Sequence, residues 1–291
     1  VEISVIVPCR NGEAYIRQCL QALLAQTLPR DRYEVIVVDD GSTDRSAERI
    51  REHASVRLLE VPPAGSYTAR NAGVRAARGR ILAFTDSDCV VCPTWLAQIV
   101  AAMEQSLVQV VLGARRFARE SIGLAVLADY EIEKARYVFS RRDPRVYYGY
   151  TNNMAVRREA FERHGPFVEL TRGADAVFVS RVAAAEGCDT VSFLPELLLR
   201  HLEIEVWSDW PRKMFLYGRS YRGFRHLSGT RPLGIANRLA ILARTARSRP
   251  FRTSRIGALL GLAFTTAIAF ELGRRFGAVE RRDAGTTEPD R

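Results

Sequence analysis

Ile81-Leu82-Ala83-Phe84-Thr85-Asp86-Ser87-Asp88 decides the fold. Four successive apolar residues predict a strand covered on both faces, as in a parallel sheet. Two carboxylates follow at its carboxyl end, where α/β sheets bind ligands. Carboxylates two residues apart can place one group on a divalent cation and the other on water or a ligand hydroxyl. A hard cation held by few carboxylates usually completes its shell with substrate phosphates. The stretch therefore points to an enzyme handling a phosphorylated or nucleotide-linked substrate.

Working outward, the pattern alternates strand and helix. Strands are predicted at Glu2 to Val7, Glu34 to Val38, Val56 to Val61 and Ile81 to Thr85. Helices are predicted at Glu13 to Gln26, after Asp44 to about His53, and at Ser66 to Ala77. Asp44 suits a helix cap, and Pro62-Pro63 stops the third strand. Beyond them come a helix at Thr94 to Met103, a strand at Val108 to Leu112, a helix at Ile122 to Val138 and a loop from Arg141 to Asn153. A helix at Asp175 to Glu186 and a strand at Thr190 to Leu194 close the series. Such alternation implies right-handed βαβ units: an α/β fold with a mostly parallel central sheet and helices on both faces.

The chain has 291 residues, 47% hydrophobic and 26% charged, which excludes a disordered class. Its five cysteines are an odd number spread through apparent core elements, which fits reduced thiols in a cytosolic setting better than a disulfide framework. Cys89 and Cys92 have CxxC spacing with no second pair, so small buried residues are favoured over zinc. Residues 1 to 7 already read as a strand and not as a secretory signal.

Charge is unevenly placed. Residues 1–210 carry a net −2 and residues 211–291 a net +12, together the +10 of the chain. Residues 212–255 hold 12 basic side chains and no acidic one, and the apolar run Ile256 to Phe270 follows directly. A basic block beside an apolar segment resembles a cytoplasmic membrane anchor. That run of 15 residues is shorter than the roughly 20 that span a bilayer, so a tilted span, an interfacial helix and a core helix all stay open. Trp207, Trp210, Phe215, Tyr217, Tyr221 and Phe224 among arginines suit an anionic membrane surface or a diphosphate-bearing lipid acceptor. Nucleic acid is the competing partner. It is set aside because the positive charge adjoins an apolar segment and the N-terminal half matches no nucleic-acid module. The expected location is the cytoplasmic face of the cell membrane.

Ser4 to Glu13 and Val35 to Ser42 each run from a strand into polar residues, presenting N–H groups and side chains at the sheet's carboxyl edge. A carboxylate at Asp40 can accept from a nucleobase or ribose. Arg70, on a helix heading toward the aspartates, can neutralise a diphosphate or hold Asp86.

Ser4 to Glu13, Val35 to Asp44, Ala69 to Gly79 and Phe84 to Cys89 occur in the order and spacing of family 2 glycosyltransferases, which the chain resembles over roughly residues 1–205. The resemblance implies a GT-A fold, a nucleotide-sugar donor, Mn2+ or Mg2+, and inversion at the anomeric carbon. By it, Asp86-Ser87-Asp88 is the DXD motif, with Asp88 the direct metal ligand and Asp86 shared between metal and donor. Pro8, Arg10, Glu13 and Asp40 line the base and ribose pocket, and Arg70 and Asn71 lie on the donor. Asp175 is the base that takes the acceptor hydroxyl proton, His201 completes the metal shell, and Asn152 or Asn153 holds the acceptor. Ala174 stands where the family commonly has a glutamate. Residues 1–112 become the nucleotide-sugar half, 113–205 the acceptor half, 206–276 a basic and aromatic helical region, and 277–291 a disordered tail. The acceptor is a hydroxyl of a glycan or a lipid-linked molecule. Two alternatives stand beside this reading: a nucleotidyltransferase that makes nucleotide sugars, and a catalytically degenerate sugar or lipid binder.

Overall fold

The computed structural model describes residues 1–119, 121–204, 206–248 and 253–276. The expected tail at 277–291 lies outside the described residues. Eight strands form one sheet in the order β3-β2-β1-β4-β7-β6-β8-β5. They are β1 (Ile3–Cys9), β2 (Tyr33–Asp39), β3 (Val56–Glu60), β4 (Ile81–Thr85), β5 (Cys89–Val91), β6 (Val110–Phe117), β7 (Asn153–Arg157) and β8 (Val191–His201). β1 to β4 are parallel, as their apolar runs require, with β1 and β2 buried at every residue. β7 runs antiparallel between β4 and β6, and β5 antiparallel beside β8. The predicted division at residue 112 falls inside β6, so the two halves share one continuous sheet.

The helices are α1 (Ile16–Leu24), α2 (Ser46–Arg51), α3 (Ser66–Ala76), α4 (Trp95–Glu104), α5 (Ile122–Ser140), α6 (Arg158–His164), α7 (Ala174–Glu186), α8 (Asp209–Ser228), α9 (Ile235–Ser248) and α10 (Thr253–Phe276). α1 and α4 cover one face of the sheet, packing Leu20, Leu23, Trp95 and Ile99 against β1, β2 and β4. α6 and α7 cover the other, where Phe161 and Phe178 meet Phe84 and Phe167. α8, α9 and α10 form a third cluster against α5, around Leu127, Trp210, Ile241, Leu259 and Leu262.

Two glycines set how closely α8 and α10 approach. A Cβ on Gly218 would run into the Phe270 carbonyl, and one on Gly273 into the Phe215 carbonyl. Each glycine thus lets the other helix's backbone in. α10 is therefore docked along one side and bare along the other, where Ile256, Leu260, Phe264, Ile268, Leu272 and Phe276 are exposed at four-residue spacing. Gly273→Val should separate the two helices and cost about 1–3 kcal/mol as an overpacked contact. Urea unfolding is expected to show the loss.

Candidate active site

The loops leaving β1 and β2 are laced to one another. The N–H of Asn11 donates to Ser42 Oγ (2.9 Å), that of Gly12 to Ser46 Oγ (2.8 Å) and that of Glu13 to Asp44 Oδ2 (3.0 Å). Asp44 also accepts the Ser46 N–H at 2.9 Å, so it fixes the start of α2 as its sequence position suggests. Pro8 is buried inside β1 and Arg10 is exposed at the rim. The Glu13 carboxylate is held by Arg45 at 2.5 Å. Asp40 accepts the N–H groups of Ala64 (2.7 Å) and Gly65 (2.9 Å), fixing the turn before α3.

Three residues expected at a ligand are bonded to the backbone or to a buried side chain. Asp40 is 3% exposed and its carboxylate holds the 64–65 turn. Asn71 pairs both ends of its amide with the Phe167 backbone, donating at 2.9 Å and accepting at 3.0 Å. It clamps α3 to the chain before α7. Asn153, fully buried, accepts from Trp95 Nε1 (2.8 Å) and donates to the carbonyls of Ala114 (2.7 Å) and Leu197 (2.9 Å). It ties α4, β6 and β8 together and does not face an acceptor. Asn152 beside it is 7% exposed, with a buried Oδ1 that lacks a hydrogen-bond partner.

The β4–β5 turn carries Asp86 and Asp88. β5 pairs with the end of β8, setting Cys89 opposite His201. The Leu202 N–H donates to the Asp88 carbonyl at 2.8 Å. His201 Nε2 consequently lies 3.5 Å from Asp88 Oδ2, although the residues are far apart in sequence. Ligand atoms of Asp88, Cys89 and His201 all fall within 4.8 Å of one another. Burial, with the Asp86 charge adding to it, pushes the Asp88 carboxyl up to about 7. Burial and the charges of Lys213 and Arg115 push His201 down to about 3, so its ring is neutral at pH 7. The arrangement fits a divalent cation. A carboxylate whose charge is costly faces a neutral imidazole that cannot balance it, and His201 Nδ1 is buried without a partner.

Asp86 forms an ion pair with Arg70, which is 4% exposed on α3. Arg70 lies over the Tyr67 ring, 5.3 Å from its centre. The Tyr67 hydroxyl faces Asp175 and favours its charged form. Asp175 stands in the first turn of α7, accepting the N–H groups of Ala176 (2.8 Å) and Thr151 (3.2 Å). Burial raises its carboxyl above the usual range, against the pull of Tyr67, Ala176 and Arg70. One series of contacts therefore runs from the DXD turn to the expected base.

Asp175 opens on a cavity of about 270 Å³ between α5, the 146–150 loop and the C-terminal helices. Trp210, Met214, Tyr217, Phe224 and Phe270 give it apolar walls, and Arg115, Lys134 and Glu131 give it charge. The aromatic run expected at a lipid surface thus divides. Trp210 and Phe224 are buried and turn inward, while Trp207 stays 43% exposed. Tyr67, Arg115 and Lys134 escape a reading by motif. Tyr67 was accessible in principle, since i and i+3 on a helix are neighbours and it precedes Arg70 by three.

A mostly parallel sheet with an acidic turn at its carboxyl edge and a buried carboxylate linked to it is the arrangement of a GT-A-type transferase. Residues 4–165 match the family Glycosyl transferase family 2. The chain is 32% identical over 228 residues to the glycosyltransferase AglE of Haloferax volcanii, covering 70% of this chain and 74% of that protein. It is 35% identical over 113 residues to the glycosyltransferase EpsJ of Bacillus subtilis, covering 38% of this chain and 32% of that protein. The mannosyltransferase PcManGT of Pyrobaculum calidifontis, solved with GDP-Man and Mn2+, superposes with a TM-score of 0.67 at 20% identity, over 94% of this chain and 87% of that one. The chain belongs to the family 2 glycosyltransferases.

Because the folded Asp175 carboxyl is raised, its ionisation lowers stability as pH rises from the unfolded carboxylate value of about 3.9 through the folded one. Urea unfolding from pH 4 to 8 should show wild type losing stability relative to Asp175→Asn across that window, then levelling off. Tyr67→Phe removes a group that favours the carboxylate, so the same loss should extend to higher pH.

Proposed function

We propose that the chain moves a sugar from a nucleoside-diphosphate donor to an acceptor hydroxyl with inversion, at the cytoplasmic surface of a membrane. The continuous contact from Asp86 through Arg70 and Tyr67 to Asp175 carries this reading, since it ties the donor edge of the sheet to a carboxylate in a cavity. Asp175 takes the acceptor proton as that oxygen bonds to the anomeric carbon, and the nucleoside diphosphate leaves with the electron pair of the broken bond. A carboxylate on the acceptor's side, with the leaving group opposite, fits direct displacement and hence inversion. Tyr67 and the N–H groups of Thr151 and Ala176 hold Asp175 in place. Arg70 keeps a guanidinium beside Asp86, where a diphosphate would need positive charge.

Asp88 and His201, with Asp86 nearby, are the residues that would hold a divalent cation. When bound, it supplies charge for the departing diphosphate. An imidazole nitrogen among carboxylates suits Mn2+ better than Mg2+. The Mn2+ and GDP-Man of PcManGT support both the metal and the donor class.

α10 supports the membrane. By length and composition Arg255–Phe276 could cross one, but Gly218 and Gly273 press its inner face on α8. A helix so docked fits lying along the headgroup boundary with its exposed apolar ridge in lipid. Arginines of α8 to α10 would meet the anionic leaflet.

Calorimetry with Mn2+ across UDP, GDP and dTDP sugars should find one donor class that binds. Asp88→Ala should lose that binding. Asp175→Asn should keep it while transfer falls by about 10²–10⁴-fold. A folded protein that binds none of these donors would instead favour a degenerate binder, for which Ala174 in place of a glutamate already argues. For the membrane, co-sedimentation should be strong with vesicles containing phosphatidylserine and weak with phosphatidylcholine alone. Phe264→Asp should reduce it, since each buried side chain of this size is worth about 2 kcal/mol.

A further inference from the structure

The charge on the cavity wall does not balance. Arg115 from β6 and Lys134 from α5 share one carboxylate, Glu131, with Arg115 at 3.2 Å and Lys134 at 2.6 Å from it. The three side chains are 15%, 18% and 10% exposed, so water screens them little. Arg238 lines the same cavity and, among the described residues, its side chain donates to the Leu233 carbonyl at 3.0 Å and to no carboxylate. Arg231, also on the wall, is matched by Asp143 at 3.0 Å. Burial holds the Lys134 ammonium below the usual lysine range, with Arg115 and Arg238 adding repulsion and Glu131 only partly offsetting them. A second cation in such a place costs stability unless an anion joins it.

Aromatic rings fix where these cations sit. Arg115 lies 5.1 Å from the centre of the Trp210 ring and 5.9 Å from that of Tyr150, and Lys134 lies 5.2 Å from that of Tyr148. The next residue along, Thr151, gives its N–H to Asp175. The short run 148–151 therefore joins the cation pair to the carboxylate expected to take the acceptor proton. Across the cavity, Thr266 and Phe270 belong to α10, whose other side bears the exposed ridge.

We infer that Arg115 and Lys134 form an anion subsite for the acceptor, which is a sugar joined through a phosphate or diphosphate to an apolar alcohol. Its phosphate meets the two cations, its apolar part lies against Trp210, Met214 and Phe270, and a free hydroxyl of its sugar reaches Asp175, which takes that proton as the oxygen bonds to the anomeric carbon. This rests on the cavity being the acceptor site of a transferase.

The probes are geranyl phosphate, geraniol, glucose 1-phosphate and inorganic phosphate, titrated calorimetrically into the full chain, Lys134→Met and Arg115→Met. Each variant keeps one cation on Glu131, so charge stays balanced. Geranyl phosphate should bind wild type about tenfold or more tightly than geraniol or inorganic phosphate, and each variant should lose about that factor, as expected for one charge-assisted contact. The Tm of Lys134→Met should be unchanged or higher, because an excess buried charge is gone. Equal binding of geraniol and geranyl phosphate would overturn the subsite. So would variants that bind geranyl phosphate like wild type, or that lose binding and Tm together. Tighter binding of glucose 1-phosphate would overturn the apolar half of the inference. Nucleotide-sugar binding, measured on the same samples, separates the two layers: its absence in wild type would strike the transferase reading, while its presence beside a failed geranyl phosphate titration would strike only the acceptor.

Discussion

The ion pair between Arg70 and Asp86 is the interaction around which the site is organised. Arg70 is 4% exposed, and its Nε is buried without a hydrogen-bond partner. Burying a guanidinium is costly, and the cost is recovered only if its partner and neighbours are held in register. The surrounding structure meets that condition. α3 is fixed at its start by Asp40, which takes the backbone of the 64–65 turn, and one turn on by Asn71, which takes the backbone of Phe167. The same helix carries Tyr67 to Asp175. Residues expected at a ligand thus hold the helix that carries both Arg70 and Tyr67.

That exchange explains what was legible in the sequence. The strand at Ile81–Thr85 follows from an apolar run, and the helix at Ser66–Ala76, mixed in composition, is bounded by Pro62-Pro63 before it and Gly79 after it, so both match closely. The proximity of Asp88 and His201 depends on β5, a strand of three residues, too short to show a period. β7 is equally hidden: five residues whose direction is set by what they pair with and not by their composition. The backbone bonds of Asp40, Asn71 and Asn153 were not legible in the sequence for one reason. A polar residue near a strand end can serve a ligand or the backbone, and only the fold supplies the backbone that claims it.

The C-terminal helices show a similar limit. Their arginines and aromatics read as one surface, yet the structure sorts them by side. The ridge from Ile256 to Phe276 faces out, while Trp210 and Phe224 close a cavity. Composition indicates a membrane or an amphiphile, and the packing of α8 on α10 allows both, on opposite sides of one helical pair. The family match over residues 4–165 stops before these helices. The Asp86–Asp88 turn and Arg70 thus lie in the part shared with the family, and much of the cavity wall lies outside that match.

The sheet is irregular where β6 meets β8: Gly113 pairs with Leu194 but Ala114 with Leu198, so three residues of β8 loop out. The Leu197 carbonyl, within that loop, is taken by the Asn153 amide, which also takes Ala114. A side chain thus stands in for a missing backbone rung, and any Cβ on Gly113 would collide with it. In evolutionary terms the two positions are locked together. A larger residue at 113 meets the Leu197 carbonyl as well as the Asn153 amide, so losing Asn153 alone does not make room for it, and losing Asn153 strands the Trp95 indole and two carbonyls. Neither order of steps is neutral, so this corner of the sheet should drift more slowly than the exposed surface around it.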